Sequence, residues 1–304
     1  MSFFYGLNVL VTGGYGLMGA PLVKMLKEQG ANVKVYDKVD GKDINSLSNL
    51  ETGMWAMDVV FHLAAMSGVE QTRDAGWHGW YVNTFGTLNV LEAARRCAKT
   101  VKAVVIASSN HVYGQQDTYP VLETAPLRQL DTYSASKIAA DYMARSYHHN
   151  YDVPTVIMRN TNCYGPDDPH TDHIIPSTIA AALDGERPVI QGNGLTSKSY
   201  LYVDDVVQAY LDATQWSMEH GVFGEAYNVA SPPISVLELV RLILDAMGKV
   251  DITPVILNES NDQADEMMDD SKLRVRTGWW PQTPLAEGIR LTVKGLQARQ
   301  GVSA

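Results

Sequence analysis

The run Leu7-Asn8-Val9-Leu10-Val11-Thr12-Gly13-Gly14-Tyr15-Gly16-Leu17-Met18-Gly19 decides the fold. Its first half is short, apolar and rich in β-branched residues, which reads as a buried strand. Its second half is a glycine turn. Beyond it Leu22, Val23, Met25 and Leu26 recur at helical spacing, with Lys24, Lys27 and Glu28 left for solvent and Gly30 as a stop. A second strand, Ala31 to Tyr36, closes on Asp37.

This order gives each glycine a physical reason. Gly13 permits the tight turn, Gly16 lets backbone approach a pyrophosphate, and Gly19 lets helix and strand pack closely. The helix N-terminus behind the turn attracts phosphate charge. Asp37 stands about 20 residues past the motif, where a carboxylate accepts bonds from an adenosine ribose and repels a 2′-phosphate. The expected cofactor is therefore NAD rather than NADP, held by Gly13, Tyr15, Gly16, Leu17, Met18, Gly19 and Asp37.

Further along, Leu47, Leu50 and Met54 predict a short helix in a span too brief for a helix, a strand and a second helix, with Asp43 and Ile44 placed to touch adenine. Asp58 to Ala65 reads as a strand, its end at Leu63, Ala64 and Ala65 small enough for a cofactor to pass over. His62 is read as a strand residue rather than a catalyst. Met66, Ser67 and Gly68 then line the nicotinamide side of the cleft. Helices are predicted over Asn83–Ala98 and Tyr133–His149, and strands over Val101–Ala107 and Thr155–Met158. The alternation predicts an α/β fold with a doubly wound parallel sheet and chemistry at the carboxyl ends of its strands. Later come a helix at Ile174–Leu183, short strands at 188–190 and 200–203, a helix at Asp204–Trp216, a strand at 226–229 and a helix after Ser235. The expected division is a dinucleotide-binding domain over 1–165 and about 204–230, with a smaller substrate-binding lobe over about 166–203 and 231–304.

A chain of 304 residues, 45% of them hydrophobic, can bury such a core. A net charge of −10 argues against nucleic acid or an anionic membrane as partner. No apolar stretch reaches the roughly 18 residues that span a bilayer. The N-terminus lacks a signal peptide's basic region, and the two cysteines, Cys97 and Cys163, make no disulfide framework, so the expected location is the cytoplasm.

Tyr133 and Lys137 lie four residues apart and share a helix face. A neighbouring ammonium and the nicotinamide charge are expected to lower the phenol toward working pH. Ser109, from the end of an adjacent strand, is placed to bond the same substrate hydroxyl. Together they can deprotonate an alcohol whose carbon gives up hydride.

With these residues, the chain resembles the extended short-chain dehydrogenase/reductases, within the sugar-nucleotide epimerase/dehydratase family. The similar segments are Gly13 to Gly19, His62 to Ala65, Asn83 with Gly86-Thr87, Ser108 to Gly114, Tyr133 to Lys137, Arg159, Asn162 to Pro166, Gly192 to Gly194, Tyr202 to Asp205, and Gly278-Trp279. The resemblance implies a Rossmann fold, catalysis by Ser109, Tyr133 and Lys137, an Asn83 contact to the cofactor, and an Asn162 contact to a nucleotide-sugar diphosphate. It also implies a homodimer paired through the helix of Tyr133 and the helix after Asn83. There Ala93, Ala94, Ala139, Ala140 and Met143 either form the contact or face the sheet.

The chain departs from the pattern at Lys198-Ser199, where an arginine–aspartate pair is usual; Lys198 can still meet a phosphate. The usual arginine is also missing from Asn261 to Asp265. Dehydratases place an acidic residue directly after the catalytic serine, whereas here Asn110-His111 follow. His111 can act as acid or base, but Asn110 cannot supply a proton. The expected reaction is thus nucleotide-sugar epimerisation through a transient ketosugar, with 4,6-dehydration the alternative and a uronate-type dehydrogenase or an NAD sensor behind it. The expected substrate contacts are Ser67, Ser109, Asn110, His111, Asn162 and Lys198. No metal is expected: His170 and His173 read as a polar lid, and Glu266, Asp269 and Asp270 as an acidic solvated edge. Trp77 and Trp80 read as packing or interface, and Trp279-Trp280 as a seal on the C-terminal lobe.

Overall fold

The computed structural model describes residues 2–258 and 265–299. In chain order it runs through β1 (Asn8–Thr12), α1 (Gly19–Glu28), β2 (Asn32–Tyr36), α2 (Leu47–Met54), β3 (Val59–His62), α3 (Val69–Ala75), α4 (Trp77–Trp80), α5 (Gly86–Arg96), β4 (Ala103–Ala107), α6 (Thr132–Tyr151) and β5 (Thr155–Asn160). Then follow β6 (Asn162–Tyr164), α7 (Ile174–Leu183), β7 (Val189–Ile190), β8 (Ser197–Lys198), β9 (Tyr200–Tyr202), α8 (Val203–His220) and β10 (Glu225–Val229). The last described elements are β11 (Ile234–Ser235), α9 (Val236–Ala246), β12 (Val255–Ile256), α10 (Ser271–Thr277) and α11 (Leu285–Arg299).

Successive residues of the central strands feed two different cores. Val9, Val11, Val59, Phe61, Ala103, Val105, Val156 and Met158 join one apolar cluster with Leu22 and Leu26 of α1 and Val206 and Tyr210 of α8. Leu10, Val60, Val104, Ile106 and Ile157 join another with Leu50 and Met54 of α2 and Val90 and Leu91 of α5. A period of two with both sides buried is what a parallel sheet covered on both faces requires. The six strands lie in the order β10-β5-β4-β3-β1-β2, and every pair is parallel. The order reverses beside β1, which opens a crevice at the carboxyl ends of β1 and β3. The α/β doubly wound Rossmann sheet is therefore present, with α8 and β10 returning to it after a C-terminal excursion.

Outside that sheet the described residues form three two-stranded pieces, β6 with β9, β8 with β11, and β7 with β12. Ser235 caps α9 through a reciprocal pair with Glu238, as its Ser-x-x-Glu spacing directs. Among the described residues, no helix is long and apolar enough to cross a membrane.

Several boundaries differ from the sequence reading. The helix predicted from Asn83 starts as a π-helical turn over Tyr81–Phe85, and its α part begins only at Gly86. Ala93 and Ala94 face the second core and Ala140 is buried, so none of the three offers a surface to a partner. Trp279 is buried, its ring nitrogen bonded to the Asp205 carbonyl, but Trp280 is exposed, so only the first of the pair seals the lobe. Asp270 is buried and pairs with Arg274 instead of lying on a solvated edge.

Candidate active site

The glycine turn has the close contacts its residues predict. Gly13 sits at φ +70°, and a Cβ on it would fall 2.7 Å from the Ala64 backbone nitrogen. A Cβ on Gly19 would fall 2.0 Å from the Gly13 carbonyl oxygen. At Gly16 the nearest atom is 3.4 Å away, so its face is open to a ligand. No side chain caps α1, which leaves its first N–H groups, around Leu17 and Met18, to an anion. Asp37 is buried at the end of β2, and its two oxygens accept from the backbone N–H groups of Tyr15 (3.2 Å) and Val39 (3.1 Å). Asp43 is exposed and turns back on Asn45, while the Ile44 side chain is buried against Gly86.

Behind this cradle a polar relay fixes the end of β3. Thr87 donates its hydroxyl proton to the Asn83 carbonyl (2.6 Å), so toward His62 Nε2 (3.0 Å) it accepts. His62 Nδ1 is then the bare nitrogen and accepts from Thr12 (2.8 Å), whose oxygen accepts from Ala64 N–H (3.2 Å). Burial, with Lys137 nearby, drives the His62 pKa down to about 3, which keeps the ring neutral and structural. Leu63 continues the strand by bonding the Thr12 carbonyl. Asn83 is buried and clamps the next loop: its oxygen accepts from Met66 N–H (2.7 Å), and its amide donates to the Met66 carbonyl (3.0 Å) and Ser136 Oγ (3.0 Å). Its side-chain bonds thus go to protein.

Tyr133 and Lys137 lie in the first turns of α6, capped by Asp131, and Ser109 lies at the end of the strand beside them. Burial raises the Tyr133 hydroxyl above its ordinary value; the Ser109 hydroxyl opposes this and Asp131 adds to it. The Lys137 ammonium donates to the Ala107 carbonyl at 2.9 Å. Burial pulls Lys137 itself down to about 8. The His111 ring meets Tyr133 edge-on with centroids 5.9 Å apart.

Behind the trio, Arg159 is fully buried in a two-pronged pair with Asp141 (2.9 and 3.0 Å) and donates to Tyr113 at 2.8 Å. Arg159 holds α6 to β5. Ser67 faces His170 at 2.8 Å, and His173 pairs with the buried Asp168 at 2.9 Å. Asp172 completes a group whose ligand atoms lie within 4.8 Å of one another.

One member of the site is missing from the sequence reading. Glu266 is not on a solvated edge: its side chain is 15% exposed, and it stands where the expected substrate residues converge. One oxygen accepts from Asn110 (2.7 Å) and Asn162 (2.6 Å); the other lies 3.2 Å from Lys198 Nζ and 4.0 Å from His111 Nε2. Burial opposes its charge, but Lys198, His111 and Asn162 outweigh burial and hold the carboxyl below its usual range. The site therefore contains an ionised carboxylate. A backbone bridge to Lys198 brings it there. Residues 261–264, where the usual arginine is missing, lie outside the described residues.

The profile of the NAD dependent epimerase/dehydratase family matches residues 9–230, which takes in the glycine turn, Ser109, Tyr133, Lys137 and Asn162. The chain belongs to that family. Its cofactor is NAD, and the glycine cradle, the uncapped α1 and the buried Asp37 are chemically suited to hold it. It is similar to the UDP-glucose 4-epimerase of Mycolicibacterium smegmatis, 31% identical with 95% of this chain and 98% of that protein covered. Among solved structures it is similar to the UDP-glucose 4-epimerase of Thermotoga maritima with UDP-glucose, at a TM-score of 0.88 and 26% identity, covering 97% of this chain and 100% of that one. It is also similar to a dTDP-glucose 4,6-dehydratase of Streptomyces venezuelae with NAD bound, at 0.85 and 27%, covering 96% and 98%. The family thus makes this a NAD-dependent enzyme of nucleotide-sugar metabolism.

Proposed function

We propose that the protein is a nucleotide-sugar epimerase working through a transient ketosugar. The observation that carries this reading is the state of Asn110: its oxygen accepts from Ser109 (3.2 Å) and its nitrogen donates to Glu266, so the position after the catalytic serine holds an amide, engaged through both ends, rather than an acid. NAD supplies a hydride acceptor that can return the hydride to either face of a ketone. The chain's own residues handle the proton. Tyr133 takes it from the sugar hydroxyl, Ser109 holds that hydroxyl in line, and Lys137 places a positive charge behind the phenolate. Gly13 to Gly19 and Asp37 hold the dinucleotide, with Asp43 and Ile44 on its adenine side and Leu63, Ala64, Ala65 and the Asn83 clamp beneath its nicotinamide side. Asn162 and Lys198 face the diphosphate, and Ser67, Asn110 and His111 the sugar.

A 4,6-dehydratase is the second reading, and Glu266 favours it, because it is a carboxyl within 4.0 Å of His111. Its depressed pKa ranks it lower, since an ionised group cannot protonate a departing hydroxyl. Incubation with UDP-, dTDP-, CDP- and GDP-sugars, followed by NMR and mass analysis, separates the two. Epimerisation conserves mass, whereas a main product lighter by one water reverses the ranking.

The exposed Trp77, Tyr81 and Phe85, at four-residue spacing beside α6, support a homodimer through this face, with sedimentation as its check. The two unpaired thiols suit a cytoplasmic enzyme.

A further inference from the structure

Four residues from three separate segments meet at one carboxylate. Asn110 and His111 follow β4, Asn162 opens β6, and Lys198 ends β8; all four direct a nitrogen at Glu266. The Glu266 backbone is anchored as well, its N–H bonded to the Ser197 carbonyl (2.9 Å) and its carbonyl accepting from Ser199 Oγ (3.2 Å). The group is therefore a fixed part of the pocket wall.

We propose that Glu266 is the specificity-determining residue of the sugar pocket: it accepts a neutral hydroxyl of the substrate and excludes sugars that carry a carboxylate. This rests on the nucleotide-sugar reading above and holds for epimerase and dehydratase alike.

The hydrogen-bonding capacity of the carboxylate leads to this assignment. Each carboxylate oxygen can accept about two bonds. The oxygen facing Asn110 and Asn162 already has two. The other receives Lys198, while His111 at 4.0 Å is beyond hydrogen-bond length, so a place remains open beside His111. That place adjoins the catalytic centre, because the His111 ring packs on Tyr133. A sugar hydroxyl can donate into it. A uronate carboxylate has no proton to give and would be set against a like charge in a largely buried site, where such repulsion is stronger than in water. The donors that would otherwise welcome a uronate are already turned toward Glu266.

The test titrates the NAD-loaded enzyme with matched pairs, UDP-glucose against UDP-glucuronate and GDP-mannose against GDP-mannuronate, by calorimetry. Wild type should bind the hexose form of the preferred nucleotide about tenfold or more tighter than its uronate. Glu266→Gln, which keeps the shape and removes the charge, should erase most of that gap by tightening the uronate, with NAD affinity unchanged. Equal or tighter uronate binding by wild type overturns the proposal, as does an undiminished gap in a Glu266→Gln protein that still binds NAD. If Glu266→Gln fails to fold, Glu266→Asp, which keeps the charge, must retain the gap. Failure to bind any nucleotide sugar would instead refute the nucleotide-sugar reading, and glucose against glucuronate would then test Glu266 alone.

Discussion

Replacing Lys137 with methionine should make the protein more stable while leaving it nearly inactive. Burial holds the Lys137 pKa at about 8 against an ordinary 10.5. That difference corresponds to about 3 kcal/mol of folding free energy spent on keeping the ammonium in place at neutral pH. Its bond to the Ala107 carbonyl, lost in Lys137→Met, offsets about 1 kcal/mol, so a net gain of about 2 kcal/mol is expected. The pH dependence follows from the sign of the shift. Between about 8 and 10.5 the unfolded chain binds more protons at this residue than the folded one, so wild-type stability rises with pH across that window. The advantage of Lys137→Met should thus be full below pH 8 and should turn into a deficit of about 1 kcal/mol, the lost hydrogen bond, by about pH 10.5. Denaturant unfolding of both proteins without NAD, at several pH values, measures it, and groups common to the two cancel in the difference. A variant less stable than wild type at pH 7, or a difference that does not change with pH, would refute the reasoning.

Tyr133→Phe removes the proposed proton acceptor but touches nothing in the glycine turn; turnover should fall by about a hundredfold to ten-thousandfold with NAD binding intact, and steady-state kinetics beside a cofactor titration would show it. Full activity in that variant would remove Tyr133 from the mechanism. Gly19→Ala must move backbone, since its Cβ would lie 2.0 Å from the Gly13 carbonyl oxygen; NAD affinity should drop by about tenfold or more, and a calorimetric titration matching wild type would contradict the packing role given to this glycine.

What the sequence discloses and what it hides divide along physical lines. β1, the turn and Asp37 are legible because local steric demands fix glycine and the acid at short range. Ser109, Tyr133 and Lys137 are legible because a helix face and a strand end place them without distant help. Glu266 is not legible: 156 residues separate it from Asn110, and Asp265-Glu266 beside Asp269-Asp270 has the composition of a wet surface. Its pairing with Ser197 to Ser199 carries it inside. The orientation of Ala93 and Ala94 is hidden for another reason, since small residues suit a helix–sheet contact as well as a helix–helix one. The raised Tyr133 pKa also escapes a residue-by-residue reading, because burial is a property of the assembled pocket.

The Asn83 clamp has a mechanical consequence. By gripping both backbone groups of Met66 and, with the same amide, the hydroxyl of Ser136, it fastens the loop beyond β3 to the helix that carries Tyr133 and Lys137. The floor of the nicotinamide crevice and the proton-handling helix then form one rigid body.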